Sequence, residues 1–555
     1  MKLIRQAMLP LGAAVWIGLL CGSGGCGSSS NGDGADGSAY DVPDGGESFN
    51  TSPDATAAFG NDGGTVAPCP GGGLDCYVAS GCTTTLSGTV YDPAGRNPLY
   101  NVVVFMPNDP AGTLPPITPG THSCNTCDVS IGNYIAATTT DAKGNFTLTG
   151  VPAITNAPLV VQTGKWRREV FLPTINACTN NTVAPANSRL PKNHKEGDLP
   201  QMALLTGGCD DLGCFMKSMG IDDAEFTAPH AGGRLDVYQG VGLGGFGGGG
   251  QGATLSNGRA GDCTNASCPL WASKKSFEYY DITILSCECG ENRQTKPPAA
   301  VTALHDWLDE GGKVFASHYH YTWFQYGPPE VAKLGTWLGS TSATGMGTYQ
   351  LDTSFPKGMV YRDWLANVKA LTGQSSIQLT SVADSLSLIN APATRWIYGG
   401  GASGMDTKYM SFLTPVNGIP VATTPDAGAA PAGPDAGTGE AGVTEAGATT
   451  DAALDTKSDA ESDAAKDASA AKDASTSSDA QSPAETNAPT YCGKAVFTDL
   501  HTSSGLTSSV RTIPSGCSGD ALTPQQKALE FLFFDLSACV STDQEPPPPP
   551  PPPTR

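Results

Sequence analysis

Residues 281–321, DITILSCECGENRQTKPPAAVTALHDWLDEGGKVFASHYHY, constrain the fold more than any other stretch of this chain. Residues 281–285 are a short, β-branched apolar run, broken by Ser286-Cys287-Glu288-Cys289-Gly290. Val301, Leu304 and Leu308 then recur at helical spacing, and Gly311-Gly312 stops the helix where a left-handed residue is needed. Val314-Phe315-Ala316 begins a second strand. Two strands joined by a single crossover helix pair in parallel, so both strand ends open onto one crevice, where ligands of open α/β sheets bind. Cys287, Cys289, His318 and His320 are thereby placed side by side, and chemistry is to be sought there.

The chain has 555 residues, too many for one core, so two or three domains are expected. With 69 glycines, 43 prolines and only 7% aromatics, long segments cannot bury enough apolar surface to offset the entropy of ordering. The net charge of −22 excludes nucleic acid as a natural partner, because phosphates require Lys and Arg as counterions. Part of that charge comes from a single Asp-rich tract, so it does not describe any site.

Residues 1–26 carry Lys2 and Arg5, an apolar run from about Met8 to Leu20, and then small residues and cysteine. This is the pattern of a secretory signal peptide. It resembles a bacterial lipoprotein signal, with Gly25 before Cys26; Cys21 is the alternative processed residue. The resemblance implies lipidation at Cys26 and a membrane-anchored protein of the cell envelope, at the surface or in the periplasm. Export also makes the seventeen cysteines intelligible, because thiols pair outside the cytoplasm. Beyond the signal, six (Cys69, Cys76, Cys82, Cys124, Cys127, Cys178) precede residue 200 and nine (Cys209, Cys214, Cys263, Cys268, Cys287, Cys289, Cys492, Cys517, Cys539) follow it. Nine is odd, so one thiol stays free or pairs across domains.

Residues 27–78 are rich in Gly, Ser, Asp and Thr and read as a flexible linker. Residues 79–192 change character. Gly88-Thr89-Val90-Tyr91-Asp92-Pro93-Ala94-Gly95 and Thr140-Asp141-Ala142-Lys143-Gly144-Asn145-Phe146-Thr147-Leu148 are turns between β-branched runs, and such spacing predicts a β-sandwich. Both motifs resemble the carboxypeptidase regulatory-like, transthyretin-like domain family. The resemblance implies a small sandwich without catalytic residues, used as a spacer or adhesion module. Cys124 and Cys127, near His122, have no second pair at zinc-finger spacing, so a disulfide-braced loop is expected there.

From residue 200 the pattern becomes α/β. Residues 202–206 are a strand, and Asp210 or Asp211 is placed to cap a short helix through Met219. Residues 234–239 are a second strand, followed by Gly242-Leu243-Gly244-Gly245-Phe246-Gly247. This literal GxGxxG has no helical periodicity after it, and so no helix N-terminus for a pyrophosphate; it reads as a mobile loop. Tyr280-Asp281-Ile282-Thr283-Ile284-Leu285, the helix ending in Gly311-Gly312, and Val314-Phe315-Ala316-Ser317-His318 resemble the trehalose-utilisation (ThuA-like) branch of the class I glutamine amidotransferase-like fold. Gly493-Lys494-Ala495-Val496-Phe497-Thr498-Asp499-Leu500-His501 resembles a late strand of that branch, with Leu500 in place of a glycine. The resemblance implies a flavodoxin-like sheet in two parts, residues 200–420 and 490–541. Between them lies an Ala/Asp-rich tract, 421–489, expected to be disordered. Thr523-Pro524-Gln525-Gln526 is a capping box that opens a last helix, and residues 542–555 are a Pro-rich tail whose polyproline run after Glu545 has no expected core role.

In the amidotransferases that this part resembles, a strand-to-helix elbow carries a nucleophilic Cys, paired with a later His-x-Glu. Here His318 stands at the elbow and Ser503 follows where the Glu belongs, so glutamine hydrolysis is not expected. Cys287 or Cys289 could pair with His318 as a nucleophile, but exported cysteines are usually oxidised, and disulfides are the ordinary expectation for both. Glu288 and Glu291 could act as acid and base, although loop carboxylates are ordinarily solvated. His318 and His320 alternate by two and would point one way on an extended segment; with His501, and Asp499 nearby, they could hold zinc. The favoured reading is a non-catalytic, carbohydrate-like ligand-binding or structural role, with His318, His320, Tyr319, Trp323, Asp499 and His501 lining the pocket. The alternative is a metal-dependent hydrolase using His318, His320 and His501.

Overall fold

β-Branched and aromatic residues between turn residues make the first part of the chain a set of short strands. In the computed structural model, which describes residues 69–120, 124, 131–242, 250–339, 345–419, 490–502 and 510–546, seven strands come first. They are β1 (Thr85–Thr89), β2 (Val103–Pro107), β3 (Tyr134–Thr139), β4 (Asn145–Thr149), β5 (Thr155–Thr163), β6 (Trp166–Thr174) and β7 (Asn180–Thr182). β4 buries Phe146 and Leu148 and exposes Asn145, Thr147 and Thr149, the period of two that a pleated strand imposes. Asp141 tightens the β3–β4 turn by accepting from the Lys143 and Asn145 amides. The strands form two sheets, in the orders β4-β1-β7 and β3-β2-β5-β6. The signal peptide, Cys21, Cys26, the linker as far as residue 68, His122, Cys127, Leu243 to Gly247, Ser503, the tract 421–489 and the polyproline run lie outside the described residues.

The rest of the chain builds one large mixed sheet. Its strands, in chain order, begin with β8 (Met202–Thr206), β9 (Phe226–Thr227), β10 (Leu235–Gln239), β11 (Thr254–Leu255), β12 (Gly261–Asp262), β13 (Ile282–Leu285) and β14 (Lys313–Ser317). They continue with β15 (Gly335–Trp337), β16 (Gly347–Leu351), β17 (Ser376–Leu379), β18 (Leu386–Ile389), β19 (Thr394–Tyr398), β20 (Thr407–Thr414), β21 (Gly493–Thr498) and β22 (Thr512–Ile513). The spatial order is β12-β10-β8-β13-β14-β21-β20-β19-β16-β17, with β9 beside β10; β11 pairs with β22 and β15 with β18 in small separate sheets. From β12 to β21 every pairing is parallel, and from β21 to β17 every pairing is antiparallel. The central parallel strands β8, β13, β14 and β21 are buried throughout, as strands covered on both faces must be.

β13 and β14 are joined through the helix Pro298–Asp309, which ends at Gly311 in a left-handed conformation (φ +118°). β14 then pairs with β21, with Phe315 opposite Val496 and Ser317 opposite Thr498. The strand around Phe497 therefore lies beside the strand around Phe315, and their ends face the same way. β20 and β21, which flank the 421–489 tract, pair with each other from Tyr409–Thr498 to Thr414–Gly493. The capping box forms as read: Thr523 Oγ1 accepts from the Gln526 amide and Gln526 Oε1 accepts from the Thr523 amide, opening the helix Pro524–Ser537.

Two expectations about organisation need correction. Residues 79–192 are not a detached spacer, because one hydrophobic cluster runs from Leu86, Val104 and Leu159 through Leu204 and Phe215 to Leu532 and Phe533. Each such buried side chain contributes about 1.5–3 kcal/mol. The seam is also bonded: Asn97 Nδ2 donates to Glu530 Oε2 at 2.7 Å, Trp364 Nε1 to the Pro98 carbonyl at 2.6 Å, and Cys124 is disulfide-bonded to Cys492. Residues 69–78 are not linker either, since Cys69–Cys76 closes a loop that buries Leu74 in the same core. Asp543, just ahead of the polyproline run, belongs to the core as well. Asp543 is buried and accepts from Lys357 at 2.9 Å and from Lys494 at 2.7 Å.

Four further disulfides, Cys82–Cys178, Cys209–Cys289, Cys214–Cys517 and Cys263–Cys268, lie among the described residues. None of the described helices is long and apolar enough to cross a membrane. Both facts are compatible with an exported protein.

Candidate functional site

The parallel half of the sheet delivers three chain segments to one mouth. β13 ends at Leu285, opposite Ala316, and Cys287 lies two residues beyond; β14 ends at Ser317, directly before His318. β21 ends at Thr498, opposite Ser317, and His501 follows three residues later. His318 sits at φ +42°, a left-handed conformation that costs a non-glycine residue about 1–3 kcal/mol and is retained where surroundings over-determine it. The neighbouring loops pack so closely that a Cβ on Gly207 would lie 2.0 Å from the Cys287 carbonyl oxygen, so only glycine fits there.

Cys287, His318 and His501 are all buried, and one ligand atom from each lies within 4.8 Å of the other two. Cys287 Sγ is 3.4 Å from His318 Nδ1, and His501 Nε2 is 3.1 Å from the same nitrogen. A tetrahedral zinc ion has Zn–N of about 2.0–2.1 Å and Zn–S of about 2.3 Å, which by trigonometry spaces its ligands about 3.3 Å (N to N) and about 3.6 Å (N to S). The observed edges are within about 0.2 Å of these. Burial pushes the Cys287 thiol up far above the ordinary range, and it pulls the His501 imidazole down, against the opposing pull of Asp210. The His501 imidazole thus favours the neutral, ligating form, whereas the thiol needs a cation beside it to ionise.

Around the three residues runs a buried polar frame. Cys287 N–H donates to Ser317 Oγ at 3.0 Å, and Ser317 O–H to Asp210 Oδ2 at 2.7 Å. Thr502 donates to Asp210 Oδ1 through its amide at 2.7 Å and through its hydroxyl at 2.5 Å. Ser381 Oγ lies 3.5 Å from His501 Nδ1, and Gln525 Nε2 donates to the His501 carbonyl.

Several of the expected site residues are elsewhere. His318 to Tyr321 is a turn of 3₁₀ helix and not extended chain, so His320 does not share a face with His318. His320 Nε2 lies 2.9 Å from the Ser286 carbonyl and its Nδ1 accepts from Trp323 Nε1 at 3.1 Å. Both ring nitrogens are thus engaged, and burial together with the Lys296 charge holds the imidazole far below its ordinary range. His320 thus lies outside the cluster of Cys287, His318 and His501, with the Trp323 indole bonded to it. Glu288 is not a solvated loop carboxylate: it is buried, pairs with Lys296 and accepts from the Val241 amide at 2.8 Å. Asp499 is outside the three-residue cluster, with Oδ2 accepting from the Ser385 amide at 2.8 Å; burial raises it to about 6. Tyr319 is half-buried with its ring 4.0 Å from that of His318, so it does border the mouth. Cys289 is oxidised as expected, to Cys209, but Cys287 is a thiol.

Sequence reasoning missed Asp210, read as a helix cap, together with Ser317 and Thr502. The helix Leu212–Ser218 is instead preceded by Asp211, which makes no side-chain capping bond. The one available signal was position, since all three residues lie at or within four residues of the ends of parallel strands. No family model, no curated protein and no solved structure matches the chain.

Proposed function

We propose that this is an exported, lipid-anchored envelope protein whose α/β region acts through a zinc-class metal centre made by Cys287, His318 and His501. In this reading Cys26 carries the lipid, residues 79–192 are a transthyretin-like sandwich, and the large sheet is a ThuA-like variant of the amidotransferase fold that no longer hydrolyses glutamine. The observation that carries the reading is the convergence of one thiol and two imidazoles within 4.8 Å of one another, with both distances to His318 Nδ1 close to tetrahedral edge lengths. Three protein ligands leave one position open, the arrangement of hydrolytic rather than structural zinc sites. Catalysis by Cys287 as a free nucleophile is disfavoured, because a buried thiol with a raised pKa supplies little thiolate.

The half-buried Tyr319 ring beside His318 supports a second use of the same mouth, in which a carbohydrate-like ligand is held without being cleaved. Metal analysis of the purified, zinc-supplemented protein tests the primary reading. About one equivalent is expected, lost in Cys287→Ser; a wild-type protein that takes up neither zinc nor cobalt would leave only the ligand-binding use.

A further inference from the structure

We propose that Asp210 is the positioning residue of this centre, one carboxylate that fixes all three ligand-bearing segments and balances the charge of a bound dication. The inference rests on the metal-centre reading above and adds a residue which that reading does not require.

Asp210 is buried, and its two oxygens divide the work. Oδ2 accepts from Ser317 Oγ at 2.7 Å; Ser317 directly precedes His318, and its hydroxyl oxygen accepts the Cys287 amide at 3.0 Å. Oδ1 accepts both the amide (2.7 Å) and the hydroxyl (2.5 Å) of Thr502, which directly follows His501. The Asp211 amide also lies 2.9 Å from Oδ1. Segments that the chain places far apart, ending β13, β14 and β21, are thus referred to one group. Groups behind the ligands that set their orientation are characteristic of metal sites.

Charge gives an independent argument. Among the described residues Asp210 forms no ion pair. A buried carboxylate without a counter-charge is costly even when well hydrogen-bonded. A divalent ion held by the Cys287 thiolate and two neutral imidazoles supplies that counter-charge: thiolate and carboxylate together carry two negative charges and the ion two positive.

Cobalt(II) titration of the full chain tests this, reading the thiolate-to-cobalt absorption band and the visible bands that report tetrahedral geometry. Asp210→Asn, nearly isosteric, is expected to weaken cobalt affinity about 10- to 100-fold and to shift the visible bands. Ser317→Ala, which deletes one hydroxyl and decides the matter if the first variant does not fold, is expected to weaken it several-fold. Wild type that binds cobalt alongside variants of unchanged affinity and spectrum would overturn the role of Asp210 and leave the centre standing. Wild type that binds no cobalt would overturn the centre itself.

Discussion

His501 Nε2 stands 3.1 Å from His318 Nδ1 across 183 residues of sequence. The proximity follows from strand register. Ser317 pairs with Thr498 in a parallel ladder, so whatever follows these two residues leaves the sheet at the same edge. The intervening chain builds the antiparallel half, ending with β20, and returns along β21. A long excursion costs little extra closure entropy once those flanking strands are paired.

That register predicts a contrast between two histidines that look equivalent in sequence. His501→Ala should abolish zinc or cobalt binding. His320→Ala should keep the metal but destabilise the fold by about 1–3 kcal/mol, because the Ser286 carbonyl and the Trp323 indole N–H lose buried partners. Equilibrium unfolding alongside metal analysis separates the two. If His320→Ala loses the metal and His501→Ala keeps it, the ligand set assigned here is wrong.

Why one histidine was legible and the other was not is a matter of local geometry. The run 281–321 announces strand, helix and strand through period and punctuation, and the pairing of β13, β14 and β21 follows from parallel topology. The face on which His320 lies depends on whether the chain stays extended past Ser317. It coils at once, and no composition signal separates those outcomes in His-Tyr-His-Tyr. Cys287 escaped for a different reason: export makes oxidation the ordinary fate of a cysteine, and only the third dimension shows that Cys289 pairs with Cys209. Asp210 was visible only as a helix-capping residue type, because its real partners lie over a hundred residues away.

A second buried relationship predicts how stability depends on pH. Asp92 Oδ2 and Glu530 Oε1 are buried without a hydrogen-bond partner in the seam between the first seven strands and the last helix, a need that a proton shared by the two carboxyls would meet. Burial raises Asp92 to about 6, and burial plus the Asp92 charge raises Glu530 well above the usual range. The folded state therefore keeps protons that the unfolded chain releases above about pH 4, so this pair's contribution to stability falls as pH rises from there through about 6 and beyond. Glu530→Gln supplies a permanent donor to Asp92 and should flatten that slope, stabilising the protein at pH 8 by roughly 1–3 kcal/mol. Urea melts at pH 5 and pH 8 measure it; a variant that retained the full wild-type slope would show that the pair does not share a proton.

The chain end carries the opposite pH signature. Burial alone would raise Asp543, but the Lys357 and Lys494 ammonium groups more than offset it and hold the carboxyl well below its usual range. Asp543 Oδ2 also accepts from Ser411 at 2.7 Å, and the same two lysines pair with Asp535 at 2.9 and 2.6 Å, closing a buried ring of alternating charge. A depressed carboxylate pKa stabilises the fold above about pH 4 and ceases to do so as pH falls through and below that value. Asp543→Asn leaves two buried ammonium groups sharing one carboxylate, and should cost about 3–5 kcal/mol at pH 7. Ending the chain at residue 541 should cost at least as much, although only a short proline-rich end is removed. If truncation left the unfolding midpoint where it was, Asp543 would not be part of the core, and the ring would have to be held by Asp535 alone.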